Sequence, residues 1–241
     1  IESSYDYKNA DTEDYLYHEG PCCIPEYSAA MVSQGKKFQV ITGYFAQKEF
    51  WDEIRHCCLG AAAATAFTKC RFAVIGSTYT NMCDMPADEH RILKITGRLL
   101  CRPEVEEVEE AYKTVTEEEL EEMYKDFRND YRVDETVTNV HMRKAAKIAV
   151  AFDKIIKKYH IDAFGFYWWG QKPYMTELRA QSALAVSRLA AMDIPGVTEG
   201  DIKTAMAMKI LNYFGGGGMF IEFFSCDFDE NFIMVGHDGP S

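Results

Sequence analysis

The chain has 241 residues, 47% hydrophobic and 27% charged, which is the composition of a folded globular protein rather than a disordered one. It carries 26 Lys and Arg against 38 Asp and Glu, a formal net charge of −12, which argues against a nucleic-acid or anionic-membrane surface built on clustered basic residues. No apolar run reaches the length of about 18 residues that a bilayer-spanning helix needs.

The opening residues, "IESSYDYKNADTEDYLYHEG", are acidic, lack the apolar core of a secretory signal and begin without Met, as expected of a processed chain or a piece of a longer one. "KFQVITGY", 37–44, predicts a short buried strand, and "QKEFWDEIRHCCLGAAAATAF" a helix with apolar residues at 50, 51, 54, 58 and 59. "CRFAVIG", 70–76, predicts a strand ending on glycine, followed by the loop "STYTNMCDMPADEHR". Strand, helix, strand and loop is the grammar of a parallel α/β sheet, whose ligands gather at the carboxyl ends of the strands. Residues 104–128 are acidic and helical in pattern, with a Thr116–Glu119 capping box. The run "EEELEE" reads as a solvated helix face rather than a metal trap. A helix over 139–159 ends on basic residues, a strand follows over 161–169, then the loop "GQKPYM" and a helix over 177–191.

The cysteines stand at 22, 23, 57, 58, 70, 83, 101 and 226, and none forms the CxxC pair of a structural zinc site. Two vicinal pairs suit a disulfide framework poorly, so reduced thiols in a cytoplasm are the expectation.

The last portion changes character. "VTEGDIKTAMAMKILNYFGGGG" predicts a helix capped by Thr198, with Asp201 three residues on, an apolar stripe of Ile202, Met206, Ile210 and Tyr213, and glycines to end it. Two strand-like runs, 219–225 and 232–237, joined by "DFDEN", predict a β-hairpin. Glu199 then falls in the first turn of its helix, Glu222 inside an apolar strand, and His237 at the end of the partner strand. If Asp229 and Glu230 form a two-residue loop, Glu222 pairs with His237, and the two side chains come within reach of one ion. A register slip of one residue would part them. Two carboxylates and an imidazole suit a divalent cation such as Mn²⁺. Such an ion polarises a carbonyl and a hydroxyl while a carboxylate moves a proton. Each residue also has a plainer role: Glu199 as a first-turn helix acid, Glu222 as a solvent-facing side chain, His237 as a turn residue. His56 and His141 fall on helices, His160 at a helix end and His90 in a loop, all without functional weight.

"EGDIKTAMAMKIL", "GGGGMFIEFFSCDF" and "VGHDGPS", in this order and at close spacing, resemble the metal-site region of the L-arabinose isomerase and L-fucose isomerase superfamily. The third motif departs from the arabinose isomerases after the His, which leaves the sugar open. Upstream, "YLYHEGPCCIPEYSAAMVSQGKKFQVITGYF" resembles a segment with a substrate-side His, matched by His18. "IDAFGFYWW" resembles the strand that sets an aromatic residue beside the sugar, matched by Trp168, and in "STYTNMCDM" Met82 or Tyr79 is the counterpart of a loop residue reaching the site.

The resemblance implies a Rossmann-like α/β central domain with a parallel sheet and helices on both faces, followed by the start of an antiparallel β region. It divides the chain into the end of an N-terminal domain (1–43), a central domain (44–214) and the first hairpin of a C-terminal β domain (215–241). It implies an Mn²⁺-dependent aldose–ketose isomerase acting on a free pentose or deoxyhexose through a cis-enediol. Glu199, Glu222 and His237 would be metal ligands, Glu199 and Glu222 would carry the proton, and His18, Trp168 and Met82 would face the substrate. A further metal-ligating His lies beyond residue 241 in the family, so the chain resembles an internal fragment. A cytoplasmic homo-oligomer, trimer or hexamer, is implied as well. The alternative is a non-catalytic sugar-binding or regulatory module of the same fold. A metal-dependent hydrolase or lyase would share the ligand types but has no sequence support.

Overall fold

The computed structural model describes residues 8–18, 20–168 and 178–237, so Trp169, the loop "GQKPYM" and the residues after His237 lie outside the described residues. The chain divides into two compact units, Ile1–Ala62 and Ala63–Ser241. In the first, α1 (Thr12–Tyr17) starts with a capping box between Asp11 and Asp14, and α2 (Ile24–Ser33) carries Pro in its first turn. Helix α3 (Lys48–Phe67) forms where its pattern predicts. Residues 37–44 do not form the expected buried strand: beyond one bridge residue, Gly43, they are irregular, and Phe38 and Val40 are exposed. Among the described residues of this unit the regular elements are helices.

The second unit is built on a parallel sheet of β1 (Phe72–Gly76), β2 (Ala163–Tyr167) and β3 (Gly196–Val197), in the spatial order β1-β2-β3. The chain at 101–103 extends it past β1: Val74 N donates to Cys101 O, Cys101 N to Phe72 O, and Gly76 N to Pro103 O. Strands β1 and β2 are apolar without alternation because both faces are covered, as parallel sheets require. Ala73, Ile75, Phe164 and Phe166 face α5 (Val105–Lys113), α7 (Asn139–Tyr159) and α8 (Ala183–Ala191) in one core layer. Phe72, Val74 and Ala163 face the opposite layer, with Ile92 of α4 (Glu89–Thr96) and Ile202, Ala205 and Met208 of α9 (Ile202–Tyr213). Helices therefore cover both faces of the sheet, as the sequence implies.

Local departures have local causes. Helix α4 occupies the end of the expected loop, because Asp88 caps it by accepting from Arg91 N and Gly97 ends it at φ 70°, so His90 lies on a helix. The acidic segment is two helices, α5 and α6 (Glu117–Asp130), divided at the Thr116 cap, whose box with Glu119 is present as predicted. The buried face of α9 is Ile202, Ala205, Met208 and Lys209, whereas Ile210 is exposed. Of the predicted stripe, Ile202 is buried and Met206 and Tyr213 pack partly buried against the same core, so Ile210 alone departs from it.

The antiparallel region is the hairpin of β4 (Glu222–Asp227) and β5 (Phe232–Gly236). Its register near the turn is the predicted one, Asp227 opposite Phe232. A bulge between Phe223 and Ser225 then shifts the ladder, so Glu222 pairs with Gly236 and not with His237. All eight cysteines are free thiols. No helix among the described residues is long and apolar enough to cross a membrane.

Candidate metal centre

The turn Thr198–Gly200 leaves the end of β3 at the carboxyl edge of the sheet. Glu199 adopts φ 63°, ψ 0°, a left-handed conformation that a non-glycine residue holds only when its surroundings impose it. Here they do: Tyr79 N donates to Glu199 O at 2.9 Å, and Asp201 N closes the turn on Thr198 O at 3.3 Å. Gly200, at φ 74°, packs so closely that a Cβ would lie 2.5 Å from Ser77 O. Gly165 of β2 sits beneath, where a Cβ would lie 2.7 Å from the Gly200 carbonyl carbon. The two glycines let the turn and the 77–79 loop rest directly on the strand ends.

Glu199 is thus not the first-turn helix acid that its sequence position suggests, and Thr198 is not the cap. The cap is Asp201, 7% exposed, which accepts from Lys203 N at 3.1 Å, Thr204 N at 3.3 Å and Thr204 Oγ1 at 2.6 Å. The helix dipole is therefore met by Asp201, and Glu199 is turned out of the helix.

Glu222 opens β4 opposite Gly236, a residue with no side chain to cover its carboxylate. His237 lies one residue beyond β5. Because it is past the ladder, the alternation rule that parts slipped strand neighbours does not bind it. Its ring lies against Phe220, centroids 4.5 Å apart and planes at 39°, and its Nε2 is 3.4 Å from Thr198 Oγ1. One oxygen of Glu199, one of Glu222 and one ring nitrogen of His237 all lie within 4.8 Å of one another, and all three residues are half-buried. A cation held at roughly 2.0–2.6 Å spaces its donors on that scale. A hard–borderline set of two carboxylates and one imidazole fits a divalent ion such as Mn²⁺.

The other candidates have local surroundings of their own. Met82 is half-buried in the 77–88 loop, its N–H on Tyr79 O, and Tyr79 N in turn bonds to the Glu199 turn. Trp168 follows β2, 4% exposed, with its ring among Phe152 and Phe166 at 6.4 and 5.6 Å, and so contributes to the core. His18 ends α1 in the N-terminal unit, edge-on to Tyr17 at 5.2 Å.

Beside Tyr79, residues the sequence did not single out line the same edge. The ring of Tyr167 packs on Tyr79 at 4.9 Å, and the Arg179 guanidinium lies 5.6 Å from its centroid. Burial pushes the Tyr167 hydroxyl up, and the neighbouring Tyr79 and Glu199 add to the shift against the opposing Arg179. A hydroxyl so held stays protonated and can act as a neutral donor. Thr198 was hidden by its resemblance to a helix cap, and Phe220 by the apolar run around it.

The profile of the L-arabinose isomerase central domain matches residues 100–217, from the extra strand segment beside β1 through α9, with Glu199 inside the match and Glu222 and His237 just beyond it. No curated protein matches the chain. Sheet, helices and matched sequence agree over residues 100–217, the part of the chain that supports a place in the L-arabinose isomerase-like superfamily.

Proposed function

We propose that the chain contributes the catalytic edge of an aldose–ketose isomerase, with Glu199, Glu222 and His237 holding a divalent cation, Mn²⁺ or similar. The observation that carries this reading is the convergence of these donors within 4.8 Å at the carboxyl end of a parallel sheet, in a chain of this lineage. A bound cation would supply Lewis acidity toward the carbonyl and adjacent hydroxyl of an open-chain sugar.

The chain's own groups supply the rest. A glutamate takes the proton from C2 while O1 gains one, giving a cis-enediol. O2 then loses its proton and a carboxylate returns one to C1, giving the ketose, with no net change in protons. Glu199 and Glu222 are the carboxylates in position for this transfer. The neutral Tyr167 hydroxyl and Tyr79 stand where a sugar hydroxyl can be oriented. The substrate is a free pentose or deoxyhexose, and the assembly is a homo-oligomer.

The test is to titrate Mn²⁺ into the protein and assay ketose formation across a panel of aldoses, beside Glu199→Gln and Glu222→Gln. Activity should require the ion and fall by at least about 100-fold in either variant, the scale of a lost proton-transfer group. Wild-type activity in both variants would overturn the catalytic assignment. Ion binding without turnover of any aldose would favour a sugar-binding module.

A further inference from the structure

One turn serves the site twice. Glu199 provides a carboxylate, and its neighbour Thr198 places a hydroxyl 3.4 Å from Nε2 of His237, although the two residues are 39 positions apart. The histidine lies outside the β4–β5 ladder, so no strand pairing fixes its ring. Two contacts do. Phe220 lies against the ring with centroids 4.5 Å apart and sets its plane, and the Thr198 hydroxyl sets its rotation within that plane.

From this geometry we infer that Thr198 is a positioning residue for His237, and that it decides which ring nitrogen faces the carboxylates. This rests on the cation reading given above. A ring nitrogen can bind a cation only through its lone pair, so the single proton of a neutral imidazole must sit on the other nitrogen and needs an acceptor. Thr198 Oγ1 is an acceptor within reach of Nε2: with the proton on that nitrogen, Nδ1 would be left to face an ion. Such outer partners orient a metal-binding histidine and raise its basicity, and their loss weakens metal binding about 10–100-fold. Phe220 offers the ring no hydrogen bond and cannot replace the hydroxyl. Serine keeps the oxygen in place, whereas valine keeps the volume without it.

Two measurements test the inference. Calorimetric titration of Mn²⁺ into wild type, Thr198→Val and Thr198→Ser should give an affinity about 10-fold or more weaker for the valine variant and close to wild type for serine. Nitrogen-15 NMR of the histidine side chains in the Zn²⁺-loaded wild-type protein should show His237 protonated on Nε2. The second measurement needs no variant, so a misfolded Thr198→Val leaves the inference decidable. Wild-type affinity in Thr198→Val, or the His237 proton on Nδ1, overturns the role of Thr198 and leaves the cation site standing. A wild-type protein that binds no divalent cation overturns both.

Discussion

Glu199 and Asp201 are two acids of one short turn with opposite duties, and the backbone separates them. Asp201 satisfies the amides of α9, while Glu199, in the left-handed region, is spared that task and aims at the hairpin. Replacing each part should therefore give a different signature. Asp201→Ala should lower stability by about 1–2 kcal/mol in urea unfolding, the usual loss for a buried helix cap, and leave cation affinity nearly unchanged. Gly200→Ala should cost about 2–3 kcal/mol, because the new Cβ meets the Ser77 carbonyl and the backbone is strained. By moving the turn it should weaken cation binding too. Equal effects on binding from both variants would mean that the turn does not set the site. The sequence made the three donor residues legible, since Glu, Glu and His stand out in apolar and glycine-rich surroundings. It did not show the duty of each residue in the turn. Thr198 with Asp201, and Asp201 with Thr204, both satisfy capping patterns, and only the packing of Gly200 on Ser77 selects the second.

Helix α7 carries the core on one side of the sheet, and two glutamates tie its neighbours to it. Glu107 of α5 accepts from Lys158 Nζ and Tyr159 Oη, both at 2.6 Å, and Glu119 of α6 accepts from Lys154 Nζ at 2.8 Å. Those bonds to Lys158 and Lys154 hold the two carboxyl groups below the ordinary glutamate range. A carboxylate with a depressed folded pKa contributes stability that is complete above its unfolded pKa, near 4.5, and lost as pH falls through the lower folded value. Glu107→Gln and Glu119→Gln should accordingly be less stable than wild type at pH 7 and lose less on acidification below about pH 4.5, so the urea midpoints converge. Midpoints that stay equally far apart from pH 7 to pH 3 would refute these ties. At this scale the apolar runs fixed β1, β2 and α7 closely, because each is long and its partner layer is close. The strand expected at 37–44 failed because pattern alone cannot supply a neighbour. The hairpin register failed at one point, Phe224, because Glu-Phe-Phe-Ser-Cys-Asp has no strict alternation for a bulge to interrupt.

On the scale of the molecule, the sheet unit places its candidate chemistry at a join. Glu199 and Thr198 belong to the edge of the parallel sheet, whereas Glu222 and His237 belong to the hairpin, whose β4 and β5 side chains Phe223, Phe224, Ile233 and Val235 are all exposed. That division was legible in outline, since the glycine run 215–218 marks a change from helical to alternating pattern. What brings the two parts together was not, because contacts between residues 39 apart leave no periodic trace. The bulge at Phe224 and the position of His237 beyond the ladder have a mechanical consequence. Strand pairing does not hold the histidine, so a cation bridging both parts would act as a fastener between hairpin and sheet. Adding Mn²⁺ should then slow amide hydrogen exchange across β4 and β5 as well as in the Thr198–Gly200 turn, and chelation should restore the faster rate. Slowing confined to the turn would mean that the hairpin is held by other means. Occupancy of the centre would thus be recorded as stiffness some distance from where any sugar is transformed.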